Sequence, residues 1–477
     1  MLSESLDDTS LDTDDSTAAA ANGAASWNGW PAGSRLPPIL QSVRYMLGPY
    51  QSIEADRRRF GNTFTIQPLS APRMIVFSDP ESIRDIFMAE PGELVGGEAA
   101  AELLGPILGW NSLVILDGAK YLRDRKLMMP PLHHERIPLY AQTIMQIADE
   151  AADRWPLTQA FRMHKEARKI VLEVFLRTIF GLEGERLAQV RDLQGRILEM
   201  ADGPLAGFIF LPTLRLKLSG RSPWSRFLEL RAEMASLLGE EIARCRSQPD
   251  LSRIDVLAML VAARDENGVA MTDQELFDEM FTVLMAGIET TTTSLVWLFY
   301  HLLARPEVMA KVRSERLAEI GRGPLLPKQL SSLVYLDAVI KESARINPVT
   351  TDVARVIKRP KRIGKLDVPA GAGVSAGIYL THHRPDLWPE PQRFDPDRFL
   401  DARPDPYTFF PFGGGERRCL GAAYSTYVMK IILTHILSRV EMRLAPGYAA
   451  RAAFHAITIA PSGGTPMIVD QRAPSLC

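Results

Sequence analysis

The run Phe412-Gly-Gly-Gly-Glu-Arg-Arg-Cys-Leu-Gly421 places one cysteine, Cys419, behind three glycines and directly before a helical pattern over 420–440. The positive end of that helix, together with Arg417 and Arg418, favours an anionic sulfur. Contiguous glycines let backbone N–H groups turn inward and let a flat group approach closely. These features indicate a metal-binding thiolate. A glycine-rich turn with a buried cysteine explains the same residues, so the run alone leaves both interpretations open. A dinucleotide loop fits poorly, because its glycines are spaced as G-x-G-x-x-G.

The composition narrows the class of protein. The chain has 477 residues, a formal net charge of −2 and two other cysteines, Cys245 and Cys477. Three distant thiols form neither a disulfide framework nor a zinc pattern, which indicates a reducing compartment, the cytoplasm. The net charge does not favour nucleic acid or a membrane surface as a partner. Residues 1–26 hold six acidic residues and no basic one. They predict a disordered acidic N-terminal tail, followed by one domain over 27–477.

Hydrophobic periodicity indicates a mostly helical chain. The alternation over 64–67 and the apolar run over 74–77 predict a small hairpin, and period-3.6 patterns dominate from about 120 to 345. Strand-like runs return at 355–357 and 374–379. No repeat and no Gly/Ser-rich linker divides the middle of the chain. The sequence therefore predicts a mainly α fold with small β-sheets (α+β) in a single large domain.

One predicted helix is unusually long. Thr272-Asp-Gln-Glu275 is a capping box, and the apolar pattern continues to Arg305-Pro306. Such a helix spans roughly 45–50 Å, enough to cross a whole domain. A membrane span is disfavoured because Glu289 and the polar run 290–294 occupy the middle of the helix. We expect a buried core helix whose central polar groups need partners or a purpose.

Five positions of the cysteine run resemble the haem-binding signature of the cytochrome P450 family: Phe412, Gly415, Arg417, Cys419 and Gly421. The resemblance implies the cytochrome P450 fold, haem b as the cofactor and the Cys419 thiolate as the axial iron ligand. It also implies that Arg417 contacts a haem propionate and that Phe412 and Gly421 lie beside the cofactor.

A second motif is formed by Glu342 and Arg345, which share one face of a predicted helix. A solvated ion pair is the ordinary explanation of such spacing. Together with Arg398 in Pro-Asp-Arg-Phe399, the pair resembles the family's network that fixes the segment before the cysteine. We assign the three residues a structural role.

The third motif, Ala286-Gly-Ile-Glu-Thr290, lies midway along the long helix. A hydrogen bond from the Thr290 hydroxyl to the Ala286 carbonyl would explain the threonine, but not the carboxylate beside it. The run resembles the family's acid–alcohol pair. The resemblance implies that Glu289 and Thr290 are catalytic and relay protons at a local opening of the helix, with Gly287 giving close approach to the haem.

The remaining site residues follow from the resemblance alone. Arg125 and Arg355 are expected at the haem propionates, and Tyr121 occupies a position where the family has Trp or His, so its propionate contact is in doubt. The predicted substrate pocket comprises Leu104, Ile107, Met285, Ala286, Val349, Val353 and Ile457. Since these side chains are apolar, a lipophilic substrate is expected: a fatty acid, terpenoid, steroid-like molecule or polyketide.

The implied activity is that of a monooxygenase, which inserts one oxygen atom from O2 into such a molecule by hydroxylation or epoxidation. No fused reductase is evident, so electrons are expected from a separate ferredoxin or flavodoxin with its reductase. Two alternatives are a peroxide-using or rearranging haem-thiolate enzyme and a non-catalytic haem binder, and the pair Glu289-Thr290 argues against both. A cytoplasmic monomer without a membrane span or nucleic-acid partner is expected.

Basic residues near the cysteine were considered for docking of the electron donor: Arg123, Lys126, Arg418 and Lys430. Solvated surface is the ordinary interpretation of each, and Lys126 and Arg418 are the hypothesised contributors. The histidines lack metal-binding spacings and are interpreted as structural or surface groups. Cys245 and Cys477 are interpreted as bystanders.

Overall fold

The computed structural model describes residues 27–69, 72–133, 135–202, 215, 222–250, 252–321, 323, 325–401 and 403–474. The predicted tail over 1–26, His134 and Cys477 lie outside the described residues.

Helices make up most of the described chain. In chain order they are α1 (Pro38–Leu47), α2 (Pro49–Phe60), α3 (Pro80–Phe87), α4 (Gly97–Leu108), α5 (Gly118–Met128), α6 (Ala141–Arg154), α7 (Met163–Thr178), α8 (Gly184–Asp202), α9 (Pro223–Ser247), α10 (Val256–Ala262), α11 (Asp273–Leu303), α12 (Pro306–Glu319), α13 (Val334–Ile346), α14 (Ile378–His382) and α15 (Ala422–Arg439).

The strands are short. They are β1 (Thr63–Ile66), β2 (Met74–Phe77), β3 (Leu94–Val95), β4 (Ala160–Arg162), β5 (Asp352–Ile357), β6 (Lys361–Ile363), β7 (Leu366–Val368), β8 (Gly373–Gly377), β9 (Val440–Leu444), β10 (Ala452–His455), β11 (Thr458–Pro461) and β12 (Pro466–Arg472). One sheet has the order β1-β2-β8-β5-β3, a second the order β4-β12-β9, and β6-β7 and β10-β11 are separate hairpins. The predicted hairpin over 64–67 and 74–77 is confirmed as the antiparallel pair β1-β2.

The predicted strand over 374–379 is only partly right. Strand β8 ends at Gly377, and the chain continues as α14. Every residue of α14 is buried. A short apolar run that is buried on all sides does not alternate, so its periodicity cannot distinguish a strand from a helical turn.

Helix α11 lies in the core of the fold, as its length and apolar pattern predicted. It also begins where the capping box predicted. Thr272 caps it in both directions with Glu275, and the helix ends at Leu303, just before Arg305-Pro306. It is long and apolar enough to span a membrane, and 67% of its most apolar window is buried inside the protein. The largest cluster of buried side chains packs around it.

Two elements pack against the middle of α11 and carry the side chains that matter below. Helix α7 approaches closely at Gly287, where a Cβ would lie 2.4 Å from the Phe175 ring. On another face, Trp297 donates from Nε1 to the Ile459 carbonyl of β11 at 2.9 Å. Thr293 also bonds Thr458 through their hydroxyls at 2.9 Å. The middle of α11 is therefore held between α7 and the β10-β11 hairpin.

Candidate active site

The cysteine run forms a tight loop before α15. The Cys419 amide donates to the Phe412 carbonyl at 2.9 Å, which closes the loop. Gly415 has φ +65°, and a Cβ there would lie 2.3 Å from the Phe87 carbonyl oxygen of α3. A Cβ at Gly414 would meet the Phe87 ring at 2.3 Å. These glycines therefore seat the loop on α3, since a side chain at either position would push Phe87 away.

The Cys419 thiol is accessible at its surface although protein atoms surround it closely, a combination that fits a side chain lining a cleft. Burial raises the pKa of this thiol, while the N–H groups of Gly421 and Ala422 and the charges of Arg125 and Arg418 lower it. Because burial prevails, the pKa of the Cys419 thiol stays above its ordinary value, and the loop alone does not ionise the sulfur. A bound metal cation deprotonates such a thiol outright.

Helix α5 is tied to this loop by Tyr121 and Arg125. The Tyr121 hydroxyl donates to the Glu416 carbonyl at 2.9 Å. Arg125 donates to the Tyr121 hydroxyl at 3.2 Å and to the Arg418 carbonyl at 2.8 Å. The Tyr121 proton is thus engaged with the loop backbone, at a residue whose contact with a haem propionate the sequence left in doubt.

Arg417 faces the segment that precedes α5. Its guanidinium donates to the carbonyls of Leu113, Val114 and Leu116 at 3.1, 2.8 and 2.6 Å and pairs with Asp117 at 2.9 Å. The guanidinium therefore joins the cysteine loop to residues 113–117.

Arg355 differs from the other arginines near the loop. It lies on β5, donates to the Ala354 carbonyl at 2.7 Å and forms no ion pair with any carboxylate of the described residues. Burial, followed by the nearby charge of Arg417, lowers the pKa of Arg355 to about 10. A half-buried cation without a counter-ion is unfavourable. A ligand that carries carboxylates would supply one, so the residues present fit a haem with its propionates.

The distal motif has a different geometry from the one expected. The Thr290 hydroxyl donates to the Ala286 carbonyl at 2.7 Å, as the ordinary explanation of this threonine predicted. Helix α11 is continuous from Asp273 to Leu303, so the expected local opening is absent from it.

Glu289 points away from Thr290. One carboxylate oxygen pairs with Arg168 of α7 at 2.8 Å. The other lies 3.1 Å from Nε2 of His164 and 3.0 Å from Nδ1 of His455 on β10. Burial raises the pKa of the Glu289 carboxyl, but the two imidazoles and the Arg168 guanidinium prevail and hold it well below its usual range. Glu289 is therefore ionised, and its neighbour on the helix projects about 100° away from it.

Gly287 has a neighbour that the sequence did not indicate. The position where its Cβ would stand is filled by the Phe175 ring of α7, at 2.4 Å. Glycine is therefore needed here for the close approach of two helices. The sequence shows that the residue is small but not which neighbour requires it.

The three residues of the second motif meet in one buried network. Arg345 bonds both oxygens of Glu342, at 2.6 and 2.8 Å, and both side chains are fully buried. Arg398 reaches the same carboxylate at 3.5 Å. Arg345 also donates to the carbonyls of His382 and Pro391 at 2.8 and 2.9 Å. The network thereby fixes the irregular chain that leads to the cysteine loop.

The predicted pocket residues do not share one environment. Ile107 is buried in the main core, while Leu104 and Met285 are partly buried against it. Val353 lies beside the cysteine loop, since a Cβ at Gly413 would be 3.5 Å from its Cγ1. Ile457, at the turn of the β10-β11 hairpin, is 37% exposed. The half-buried members are Ala286, Val349 and Val353.

The basic residues considered for docking divide into two pairs. Lys430 is buried against Asp337 at 2.8 Å, and Arg123 pairs with Asp265 at 2.7 Å. Neither is available to a partner in this state. Lys126 is 72% exposed, with Glu266 3.6 Å away, and Arg418 is exposed.

Sequence reasoning missed His164 and His455, which were interpreted as structural or surface groups. They reach Glu289 from 125 residues before it and 166 residues after it in the chain. No spacing rule connects residues so far apart. The one signal available was the carboxylate at the middle of an apolar helix, which had to have partners.

Comparison with known proteins decides the family. The family model described as Cytochrome P450 matches residues 31–464. The chain belongs to the cytochrome P450 family. It is 38% identical over 416 residues to cytochrome P450 135B1 of Mycobacterium tuberculosis, covering 87% of this chain and 86% of that protein. It is 32% identical to cytochrome P450 135A1 of the same organism, covering 93% and 96%.

Solved cytochrome P450 structures share the fold. The cyanobacterial CYP120A1 with bound retinoic acid superposes with a TM-score of 0.80 at 23% identity, covering 92% of this chain and 99% of that one. The haem domain of cytochrome P450DA gives a TM-score of 0.81 at 20% identity, covering 94% and 98%. The predicted cytochrome P450 fold is thus confirmed. The family consists of haem-thiolate monooxygenases with cysteine-ligated haem b, so the predicted enzyme class and cofactor are confirmed as well.

Proposed function

We propose that this cytochrome P450 oxidises a lipophilic small molecule by hydroxylation or epoxidation, with Cys419 as the iron ligand. The observation that carries the site assignment is the accessible Cys419 thiol, towards which the N–H groups of Gly421 and Ala422 are directed. Haem b, when bound, supplies the activation of O2 and the transfer of one oxygen atom. The protein holds the sulfur in place and limits its exposure.

The reduced-CO difference spectrum tests Cys419. The haem-loaded wild type is expected to show the red-shifted band of a thiolate ligand, and Cys419→Ser is expected to lose it. Cys245→Ser is the matched control, because Cys245 is a buried thiol beside Glu241 and is expected to be irrelevant to the band. A normal thiolate band in folded Cys419→Ser would falsify the assignment.

Around the sulfur, Arg355 is proposed to meet a haem propionate because it is half-buried and forms no ion pair with a carboxylate of the described residues. Arg125, Arg417 and Tyr121 have other hydrogen-bond partners in this structure, so their contribution is to fix the loop and to add positive charge. Phe412 closes the loop through its carbonyl. Gly421 leaves open space, because a Cβ there would have no neighbour within 4 Å.

We propose that Thr290 and Glu289 deliver protons in sequence. Thr290 is half-buried and is held by the Ala286 carbonyl, which fixes the position of its hydroxyl. Glu289 is ionised and lies against the partly exposed His455, which is the side from which a proton reaches it once its ion pair with Arg168 opens. Rotation of the carboxylate away from Arg168 then brings a proton towards Thr290.

The coupling of electron consumption to product formation tests the role of Thr290 in proton delivery. Thr290→Ala is expected to consume NAD(P)H with little product and to release peroxide, because a hydroxyl that steers protons is lost. Thr292→Ala is the control, since this neighbouring threonine is buried and its hydroxyl has no partner among the described residues. Full coupling in Thr290→Ala with substrate turnover intact would contradict the role.

A lipophilic substrate is supported by the apolar side chains predicted to line the site, of which Val353 lies beside the cysteine loop. Fatty acids, terpenoids, steroid-like molecules and polyketides share this character. A screen of such compounds by the spin-state shift of the haem spectrum is expected to find binders among them. Binding confined to charged, polar compounds would overturn the proposal.

We propose that electrons come from a separate ferredoxin or flavodoxin with its reductase, docking at Lys126 and Arg418. Both are exposed, and Arg418 precedes the cysteine itself. Lys126→Glu and Arg418→Glu are expected to lower the rate of reduction and its dependence on salt. Lys328→Glu, an equal charge change at another exposed site, is the control. Peroxide-driven turnover in the absence of any redox partner would instead favour the peroxide-using alternative.

We also propose that the protein is a cytoplasmic monomer. The charge balance and the burial of α11 support this assignment. Gel filtration of the haem-loaded chain is expected to give a mass near 53.0 kDa, and cell fractionation is expected to leave it in the cytosol. A dimer mass, or recovery with membranes, would contradict the proposal.

A further inference from the structure

His164, Glu289 and His455 converge on one point between three elements. The histidines come from α7 and β10, and the carboxylate comes from α11. One ligand atom from each lies within 4.8 Å of the other two. We propose that these three side chains bind a divalent transition-metal ion such as Zn²⁺, at a site separate from the haem.

The donor set is of the kind that zinc prefers. Two imidazole nitrogens and one carboxylate oxygen form a common three-ligand zinc site, with water as the fourth ligand. The imidazole rings of His164 and His455 are 4.5 Å apart at their centroids and are inclined by 57°, so they converge without stacking. Tetrahedral zinc ligands lie roughly 3.3 Å from one another. The Glu289 oxygen lies at a similar distance from the two ring nitrogens, 3.1 Å from His164 and 3.0 Å from His455.

Neutralising Glu289 does not by itself explain two histidines. Arg168 already pairs with one oxygen of the carboxylate at 2.8 Å, which balances its charge. Nδ1 of His455 then forms a hydrogen bond with the other oxygen at 3.0 Å. The second imidazole, that of His164, is therefore not needed to give either oxygen of Glu289 a partner.

His164 supplies the independent observation. Its Nε2 is buried and lies 3.1 Å from the Glu289 carboxylate, but off the direction of a hydrogen bond. No other partner for this nitrogen is present among the described residues. A buried ring nitrogen without a hydrogen bond is unusual. In the tautomer that carries its proton on Nδ1, Nε2 offers the lone pair that a metal ion binds. A metal ion would use that lone pair.

Access and affinity follow from the surroundings. The His455 side chain is 33% exposed, whereas those of His164 and Glu289 are 7% and 2% exposed, so an ion enters past His455. The Arg168 cation at the carboxylate repels a second cation and weakens binding. We therefore expect reversible binding with a dissociation constant on the order of micromolar, weaker than that of structural zinc sites.

Bound metal has a consequence that rests on the proposed function. An ion bound to Oε1 of Glu289, the oxygen that faces the two imidazoles, holds the carboxylate between α7 and β10. It thereby opposes rotation of the carboxylate towards Thr290. Zn²⁺ is then expected to lower the fraction of electrons that reach product, and a chelator is expected to restore it.

Titration of tag-free, haem-loaded protein with ZnCl2 by calorimetry tests the site itself. One ion per chain is expected, and His164→Ala and His455→Ala should each weaken binding by tenfold or more. His133→Ala, which changes an exposed histidine beside Glu135, should leave the affinity unchanged. The thermal midpoint and haem spectrum of each variant show whether it is folded. No binding below about 100 micromolar, or wild-type affinity in folded His164→Ala and His455→Ala, would overturn the proposal.

X-ray absorption at the zinc edge keeps the proposal falsifiable if a histidine variant does not fold. Nitrogen and oxygen ligands at about 2.0 to 2.1 Å are expected. Sulfur in the first shell would place the ion at a cysteine and would refute the site. Binding with these ligands but without any effect on coupling would leave the metal site standing and would count against the proton role of Glu289.

Discussion

Glu279 and Glu289 lie on the same helix, α11, and are almost equally buried, with 0% and 1% of each residue exposed. Their ionisation is nevertheless opposite. Burial raises the pKa of Glu279 to about 8, with the charges of Asp124 and Asp278 adding to the effect. The pKa of Glu289 is held well below its usual range by Arg168 and two imidazoles. At neutral pH one carboxyl is largely protonated and the other is charged.

The difference shows that partners rather than depth decide the charge of a buried acid. No cation pairs with Glu279 among the described residues; burial raises its pKa and prevails over the Leu113 backbone and the charge of Lys120, which lower it. Glu289 has a cation on one oxygen and two ring nitrogens at the other. Ten residues of one helix thus separate a largely neutral acid from a charged one.

The largest expected effect comes from removing the cation of Glu289. Arg168→Met leaves a buried carboxylate without its ion pair, and breaking such a pair costs about 3–5 kcal/mol. Lys169→Met is the control, because Lys169 is 68% exposed and pairs with Glu166 at the surface, where a pair is worth about 0–1 kcal/mol. Guanidinium unfolding of haem-loaded protein measures both variants. Equal stability of the two would show that Glu289 does not depend on Arg168.

A smaller effect, with a definite pH dependence, is expected at Glu279. Its folded-state pKa of about 8 is above the usual 4.5, so its contribution to stability is fully present below about pH 4.5 and is lost as pH rises towards 8. Relative to Glu279→Gln, the wild type should therefore lose roughly 3 kcal/mol between about pH 5 and about pH 8. Unfolding midpoints across this range provide the measurement.

Glu275→Gln is the matched control on the same helix. The pKa of Glu275 is lowered: burial raises it, but Lys120 and the Thr272 amide prevail. Its contribution to stability is therefore present above about pH 4.5 and is lost only as pH falls through its folded pKa. The difference between wild type and Glu275→Gln should be flat over the range in which that of Glu279→Gln changes. A flat profile for Glu279→Gln would mean that this carboxyl is ionised despite its burial.

Local features of the fold and the site were predictable from the sequence, whereas contacts between distant elements were not. The ends of α11 were predictable because a capping box and the stop at Arg305-Pro306 are local signals. Cys419 was recognisable because its motif is contiguous. The partners of Glu289 were not predictable, since His164 and His455 approach from distant elements. The contact of Gly287 with Phe175 escaped for the same reason, because a sequence does not show which face of a helix meets which neighbour.

The smallest expected effect distinguishes Thr292 from Thr293, two adjacent threonines one helical turn after Glu289 on α11. The Thr293 hydroxyl bonds Thr458 at 2.9 Å and lies 3.5 Å from the Glu289 carboxylate. Thr293→Val should therefore cost about 1 kcal/mol of unfolding free energy. The hydroxyl of Thr292 is buried and has no partner in the part of the chain that is described.

Thr292→Val should consequently be neutral or stabilising, because it removes a polar group that nothing satisfies. Both variants have the same shape change on the same helix, so the difference between their unfolding midpoints isolates the hydrogen bond to the β10-β11 hairpin. Equal midpoints would show that this bond contributes nothing to holding the hairpin, and with it His455, against Glu289.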